Sequence, residues 1–150
     1  MRCGVRKLDG MAQGGFTLIE VIVAMLIIAV LTAIAIPNYR AYVARGNRAE
    51  ARANLLEAAN WMERWRTERG RYDDPANVNN PPPGFPWAQI PRVGGPKYNV
   101  AVVATAATYT ITATAIGPMA GDACATLSID QTGLRTFTGG AGSQELCWNR

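Results

Sequence analysis

The residue types that carry out most enzyme chemistry are scarce in this chain. Its 150 residues include no histidine, which removes the commonest general base and the commonest zinc ligand. Ser128 and Ser143 have no plausible base to activate them, and we find no phosphate-binding loop and no metal-ligand constellation. The sequence therefore predicts a protein that is not an enzyme, with no catalytic residue, cofactor site or metal site.

One acidic side chain, Glu20, stands where a charge is expensive. Between Phe16 and Ile36, 18 of 21 residues are apolar, and Thr17, Glu20 and Thr32 are the exceptions. As a helix this run spans about 31 Å, which matches the hydrocarbon core of a bilayer. A carboxylate in that environment costs about 2.5–3.5 kcal/mol. Glu20 therefore needs either a partner or a special position.

Three interpretations of the apolar run are open. A cleaved secretory leader would end at Ala33-Ile34-Ala35, but the run exceeds the usual length of about 7–15 residues and contains Glu20. A single-pass anchor fits the length, and Arg2, Arg6 and Lys7 would hold the preceding end in the cytoplasm. It leaves Glu20 unexplained. The third interpretation comes from the residues at the start of the run.

The segment Gly14-Gly15-Phe16-Thr17-Leu18-Ile19-Glu20 resembles the processing site of type IV prepilins. The resemblance implies that prepilin peptidase cuts after Gly15, that Phe16 becomes the methylated N-terminus, and that the helix is kept. The new ammonium group would lie four residues before Glu20 on the same helical face, where each charge offsets the desolvation of the other. The amine could belong to the same chain or to a neighbour, and the resemblance favours the neighbour. The alternative is that Glu20 reaches the membrane surface.

The three cysteines fit an exported and processed chain. An odd number leaves one over, and either form of cleavage removes Cys3 and leaves Cys124 with Cys147. An oxidising compartment would join these two, which is worth about 3 kcal/mol by the chain-entropy estimate. A metal site is the rival interpretation, although two cysteines without histidine make a poor one.

Helical periodicity continues beyond the apolar run. From residue 37 to 70 an apolar stripe recurs at spacings of three and four: Ala51, Leu55, Ala58, Met62 and Trp65. Pro37 removes a backbone hydrogen bond and Gly46 weakens another turn, so we expect a kink or a looser stretch there. Trp61 lies about a right angle from the stripe, at the edge of the core or against a neighbouring subunit.

The second half of the chain has the pattern of strands. Residues 75–96 hold seven of the nine prolines and predict an irregular loop, with Phe85 and Trp87 pinned on the core. Alternating or β-branched runs follow, at residues 98–104, 108–115, 125–130 and 134–137, with a hairpin turn at Asp130-Gln131-Thr132-Gly133. A sheet of three or four antiparallel strands needs a cover, which the amphipathic helix supplies. The patterning predicts an α+β fold.

With these elements the resemblance to type IV pilins extends over nearly the whole chain. It implies a leader at 1–15, a transmembrane and filament-core helix at 16–36 and a globular domain at 37–150. Within that domain it implies a helix at 37–70, a Pro-rich loop at 71–97, a sheet at 98–138 and a disulfide-closed region at 124–147. The runs 48–52, 121–124 and 147–150 look like those of PilE/ComP-type minor pilins.

The resemblance implies a structural subunit, most like a minor pilin, that serves twitching motility, adhesion or DNA uptake. Its partners would be other pilins, prepilin peptidase and the inner-membrane assembly machinery of a Gram-negative bacterium. The precursor would sit in the inner membrane with a periplasmic C-terminal domain before entering an extracellular pilus. Glu20 and Pro37 are the residues assigned to assembly.

Two other functions stay open at this point. The first is a DNA receptor for natural transformation, with Arg92, Lys97, Arg135 and Arg150 as candidate contacts. Outside the leader and Glu20 the chain has twelve basic and nine acidic residues, hence only +3, which supports DNA binding weakly. The second is a type II secretion pseudopilin. Such proteins often bind calcium in an acidic C-terminal loop, whereas this chain has only Glu145 beyond Asp130.

Overall fold

A computed structural model describes residues 15–77 and 81–149. The chain divides into two compact units, Met1–Tyr39 and Arg40–Arg150. A 52-residue helix, α1, runs from Leu18 to Arg69 and belongs to both. The predicted leader, 1–15, lies outside the described residues except for Gly15, and so does Arg150.

The two ends of α1 have the local chemistry that begins and ends helices. At the start, the Glu20 backbone N–H donates to Thr17 Oγ1 at 3.3 Å, so Thr17 is the N-cap. At the end, Gly70 adopts a φ of 75° and its N–H donates to the Arg66 carbonyl at 2.7 Å. Glycine tolerates that left-handed conformation without a steric cost, and α1 stops there.

The second unit contains one antiparallel sheet in the order β1-β2-β3-β4-β5. Its strands are β1 Gln89–Ile90, β2 Tyr98–Ala104, β3 Tyr109–Ala115, β4 Thr126–Asp130 and β5 Arg135–Thr138. A 3-10 helix, Gly117–Met119, follows β3, and a π-helix, Glu145–Asn149, follows β5. The α+β prediction is confirmed.

The sheet differs from the prediction in its number of strands. It has five rather than three or four, because β1 lies inside the segment 71–97 that we expected to be wholly irregular. Gln89 and Ile90 pair with Asn99 and Tyr98. A strand of two residues that ends against Pro91 is too short to show alternation, and proline cannot extend a ladder. At the other edge, β5 begins at Arg135 because Leu134 belongs to the turn anchored by Asp130.

The core lies between the second half of α1 and one face of the sheet. The predicted stripe of α1 is buried as expected: Ala51, Leu55, Ala58, Met62 and Trp65. It clusters with inward residues of the strands, including Tyr98, Val102, Ile111, Ala113, Leu127 and Ile129. Trp87 is buried and Phe85 packs against the cluster, as predicted for the proline-rich loop. Strand alternation thus selects which face of the sheet α1 covers.

Candidate assembly and binding sites

Exposed apolar side chains dominate the first unit. Every described residue from Gly15 to Tyr39 is exposed, and Phe16 is 82% exposed. Length and composition make α1 the one helix among the described residues that could cross a membrane. Water does not favour so large a continuous apolar surface, so lipid or other protein must cover it.

The polar side chains within this apolar surface differ in whether they have a hydrogen-bond partner. Thr32 Oγ1 donates to the Ile28 carbonyl at 2.7 Å, and Asn38 Nδ2 donates to the Ile34 carbonyl at 3.0 Å. Both side chains therefore satisfy themselves within the helix, at little cost in an apolar medium. The Glu20 carboxylate has no hydrogen bond or ion pair with any described residue. Glu20 is thus the group in this segment that still needs a partner.

The predicted disulfide is confirmed. Cys124 and Cys147 are bonded with a Cα–Cα distance of 5.7 Å, and both are fully buried. The bond ties the segment before β4 to the π-helix at the C-terminal end of the described chain. It closes a loop whose ends are 23 residues apart.

A buried ion pair beside the disulfide was missed from sequence. Arg48 and Asp122 make a bidentate contact, Nε to Oδ1 and Nη2 to Oδ2, both at 2.9 Å, and both side chains are buried. The signal was present, because Arg48 lies three residues before Ala51 and therefore on the apolar stripe. A cation on a core stripe indicates a buried anion. Near this pair, burial raises the pKa of Tyr98 to about 12 and lowers the pKa of Arg52.

The structure does not bring the candidate DNA contacts together. Arg92 is exposed, with its guanidinium 5.4 Å from the centre of the Trp87 ring. Lys97 Nζ lies 3.3 Å from Glu50 Oε2 in an ion pair. Arg135 lies on β5, at the opposite edge of the sheet from the β1–β2 connection, and its guanidinium is 5.7 Å from the Trp148 ring centre. Arg150, the fourth candidate, is outside the described part of the chain.

A row of aromatic rings links α1 to the proline-rich segment. Trp61 stacks on Trp65 with ring centres 5.4 Å apart, and it meets the edge of Phe85, also at 5.4 Å. Phe85 in turn lies 5.3 Å from Trp87. Arg69 and Arg92 cover the Trp65 and Trp87 rings at the two ends of the row. Trp61 therefore lies at the edge of the core, one of the two positions expected for it.

The described second unit also has an open groove of about 310 Å³ between α1 and the β4–β5 turn. Its floor contains Ala59, Tyr109 and Ile129, and its rim carries Glu63 and Asp130. The Asp130 carboxylate is engaged by the turn itself, since it accepts bonds from Thr132 and Leu134. Among residues 15–77 and 81–149 no group of three or more potential metal ligands comes together.

Comparison with known proteins agrees with this geometry. Residues 37–128 match the family described as "Type IV minor pilin ComP, DNA uptake sequence receptor". Residues 10–36 match the "Prokaryotic N-terminal methylation motif".

Three known proteins illustrate the similarity. The chain is 43% identical over 63 residues to the type IV major pilin protein PilA of Myxococcus xanthus, a match covering 42% of this chain and 29% of that protein. The match thus spans less than a third of that relative. A type IV pilin of Shewanella oneidensis superimposes with a TM-score of 0.46, at 22% identity, over 67% of this chain and 98% of that one. The non-core minor pilin PilV of Neisseria meningitidis gives 0.49, at 20% identity, over 69% and 94%.

The family match 37–128 covers more than half of the 150 residues, and it begins directly after the segment 10–36 that matches the N-terminal methylation motif. This family match favours a pilin over a pseudopilin. Type IV pilins assemble with other pilins in a pilus, and the matched family is structural rather than enzymatic. The chain therefore belongs to the type IV pilins, in the ComP family of minor pilins.

Proposed function

We propose that the chain is a minor subunit of a type IV pilus that matures by cleavage after Gly15. Prepilin peptidase makes the cut and methylates Phe16, and the inner-membrane assembly machinery moves the helix from the bilayer into the filament. The basic residues before the helix support an orientation with the C-terminal domain in the periplasm of a Gram-negative cell.

The single observation that carries this proposal is that the Glu20 carboxylate, within the exposed apolar segment 15–39, has no hydrogen bond or ion pair with any described residue. Cleavage after Gly15 creates an ammonium group at Phe16, and a neighbouring subunit can present that group to Glu20. The pair fixes the axial register of neighbouring helices, because only one relative height brings the charges together. Pro37 follows the apolar run and has no backbone N–H, so α1 lacks one helical hydrogen bond there. This position lies between the apolar half of α1 and the half that packs on the sheet.

Mass spectrometry of sheared pili tests the processing site. We expect a mature chain that begins at methylated Phe16. A product that begins at Ile36 would instead establish a secreted protein without the helix, and an intact leader in working pili would contradict the cleavage step.

Substitution of Glu20 tests the pairing. Glu20→Leu and Glu20→Gln should leave export and folding intact but block assembly, as measured by pilus yield after shearing. Glu57→Gln, which removes an exposed carboxylate on the same helix, is the matched control and should assemble normally. Normal pili from both Glu20 variants would refute the pairing.

We also propose, as a second function, that the subunit binds double-stranded DNA. Support comes from the family match over 37–128 and from Arg92, an exposed cation stacked on Trp87 with no ion pair among the described residues. Lys97 is a poorer candidate because Glu50 already neutralises it. Arg135 lies at the other edge of the sheet, so one short duplex segment is not expected to contact Arg92 and Arg135 together. We expect the duplex to bind on the Arg92 side.

Salt-dependent DNA binding by the full chain in detergent tests this second function. Each phosphate contact contributes about 0.9 to the slope of log K against log salt. Arg92→Ala should weaken binding and reduce the slope by about that amount, whereas Arg135→Ala, which removes an exposed cation over Trp148 at the opposite edge of the sheet, serves as the charge-matched control. Equal losses in both variants, or no salt-sensitive affinity at all, would contradict a DNA site at Arg92.

A further inference from the structure

We propose that Arg48 and Arg52 of α1 position the two half-cystines, so that the Cys124–Cys147 disulfide closes on the helix as its template. The two arginines are four residues apart and thus neighbours on one helical face. Each reaches one arm of the disulfide. This role concerns how the domain matures, and it is independent of the proposed pairing of Glu20.

The first arm runs from Arg48 to Cys124. Arg48 Nε and Nη2 donate to the two carboxylate oxygens of Asp122, each at 2.9 Å. Asp122 Oδ1 also accepts the backbone N–H of Cys124 at 2.9 Å. One carboxylate therefore joins the helix to the main chain of the half-cystine. Its bidentate geometry restricts both distance and angle.

The second arm runs from Arg52 to Cys147. Arg52 Nη1 donates to the Cys147 carbonyl oxygen at 3.3 Å. Asn47, on the same turn as Arg48, donates to Met119 Sδ at 3.3 Å and holds the segment that leads into Asp122. Polar side chains of a single stretch of α1, residues 47–52, thus contact both of the segments that the disulfide joins.

Burial explains why the contacts serve geometry more than net stability. Arg48 is 7% exposed. In a buried ion pair, the cost of desolvating the two charges offsets much of the electrostatic attraction between them. Its directionality remains, however, and an incorrectly placed Asp122 would leave a buried cation without compensation. The docked position of the loop is therefore strongly preferred over neighbouring ones, and that position places Cys124 beside Cys147.

The chemistry of closure shows where such positioning acts. The thiolate of one cysteine attacks a low-molecular-weight disulfide such as oxidised glutathione, forming a mixed disulfide and releasing one glutathione thiolate. The second cysteine thiolate then attacks the protein sulfur of the mixed disulfide and releases the other glutathione. The protein loses two electrons, oxidised glutathione gains them, and the two thiol protons end on the two released glutathiones. The second attack is intramolecular, so its equilibrium depends on the effective concentration of the two thiols.

The test is the effective concentration of the two thiols in the full chain in detergent, with Cys3→Ser to prevent mispairing. The reduced protein is equilibrated with glutathione redox buffers, and the oxidised fraction is measured after acid quenching. We expect Arg48→Met to lower the effective concentration about tenfold and Arg52→Met about threefold. Arg45→Met, at an exposed position on α1, should leave it unchanged.

A purely structural role predicts a different result. In that case Arg48→Met lowers the free energy of unfolding equally in the oxidised and reduced proteins, and the effective concentration equals that of the Arg45→Met control; this outcome overturns the proposal. If Arg48→Met does not fold, Arg52→Met and the near-isosteric Asp122→Asn decide by the same criterion. Unchanged effective concentrations in both would equally overturn it.

Discussion

At the scale of single residues, Asp130 shows how one carboxylate fixes a turn. Its Oδ1 accepts the Thr132 N–H at 2.8 Å, the Thr132 hydroxyl at 2.6 Å and the Leu134 N–H at 3.1 Å. The hydrogen bond from the Thr132 side chain is the main cause that lowers the pKa of Asp130 below its ordinary value. The sequence predicted this hairpin turn from residue types alone, because aspartate, threonine and glycine favour it locally.

The lowered pKa predicts the pH dependence of stability at this turn. A carboxyl group whose pKa is lower in the folded than in the unfolded state contributes stability above about pH 4, and this is lost as pH falls through the folded value. Asp130→Asn should therefore lower the free energy of unfolding at pH 7, because an amide oxygen is a weaker acceptor than a carboxylate, and it should flatten the loss of stability below pH 4. Urea unfolding from pH 2 to 7 measures both effects. An unchanged profile for Asp130→Asn would contradict this role of the turn.

At the scale of elements, the segment after β5 packs tightly against the disulfide. A Cβ at Gly142 would lie 2.7 Å from the Ala123 carbonyl oxygen and 2.9 Å from Cys147 Sγ, and a Cβ at Gly139 would also collide with the Ala123 carbonyl. Gly139 has a φ of 136°, so it is doubly restricted. Sequence patterning could not reveal these contacts, because close approach between distant segments leaves no local periodicity.

Two glycines in this segment provide a matched test of that packing. Gly142→Ala should destabilise the domain by about 1–3 kcal/mol through overpacking against Ala123 and Cys147. Gly140→Ala meets nothing within 4 Å and should change the free energy of unfolding by less than about 0.5 kcal/mol. Thermal unfolding of both variants in detergent measures the difference. Equal stabilities would show that the segment moves aside without cost.

The sequence predicted those elements whose patterns involve residues close together in the chain. The α1 stripe, the strands β2–β4 and the role of Phe85 and Trp87 were predicted, since periodicity and residue type are local. The strand β1 was missed because two residues carry no period, and the Arg48–Asp122 pair because its partners are 74 residues apart. The processing motif was found in the sequence, whereas its assembly role depends on a second subunit.

At the scale of the whole molecule, similar exposure has opposite meanings in the two units. Ile27 is 51% exposed in the first unit and Val103 is 54% exposed on β2 in the second. The former belongs to an apolar helix long enough to cross a bilayer, while the latter is an isolated apolar residue on a polar sheet face. Only the context of each residue distinguishes them.

Paired substitutions in the two units test this difference. Ile27→Asp/Leu31→Asp should release the full-length protein from membranes on carbonate extraction, because each aspartate costs about 2.5–3.5 kcal/mol at the centre of the helix. Val93→Asp/Val103→Asp changes two exposed apolar positions of the second unit and should remain in the membrane fraction. Retention of both variants would contradict membrane insertion through residues 18–36.

The C-terminal segment lies along the last strand of the sheet. Gln144 Nε2 donates to the Arg135 carbonyl at 2.9 Å and Trp148 Nε1 to the Thr136 carbonyl at 2.8 Å. At the opposite margin, β1 offers only two residues for pairing. Both margins are thus poor templates for another chain's strand, which guards against amyloid-like association. A crowded population of copies is therefore not expected to fuse sheet to sheet into fibrils.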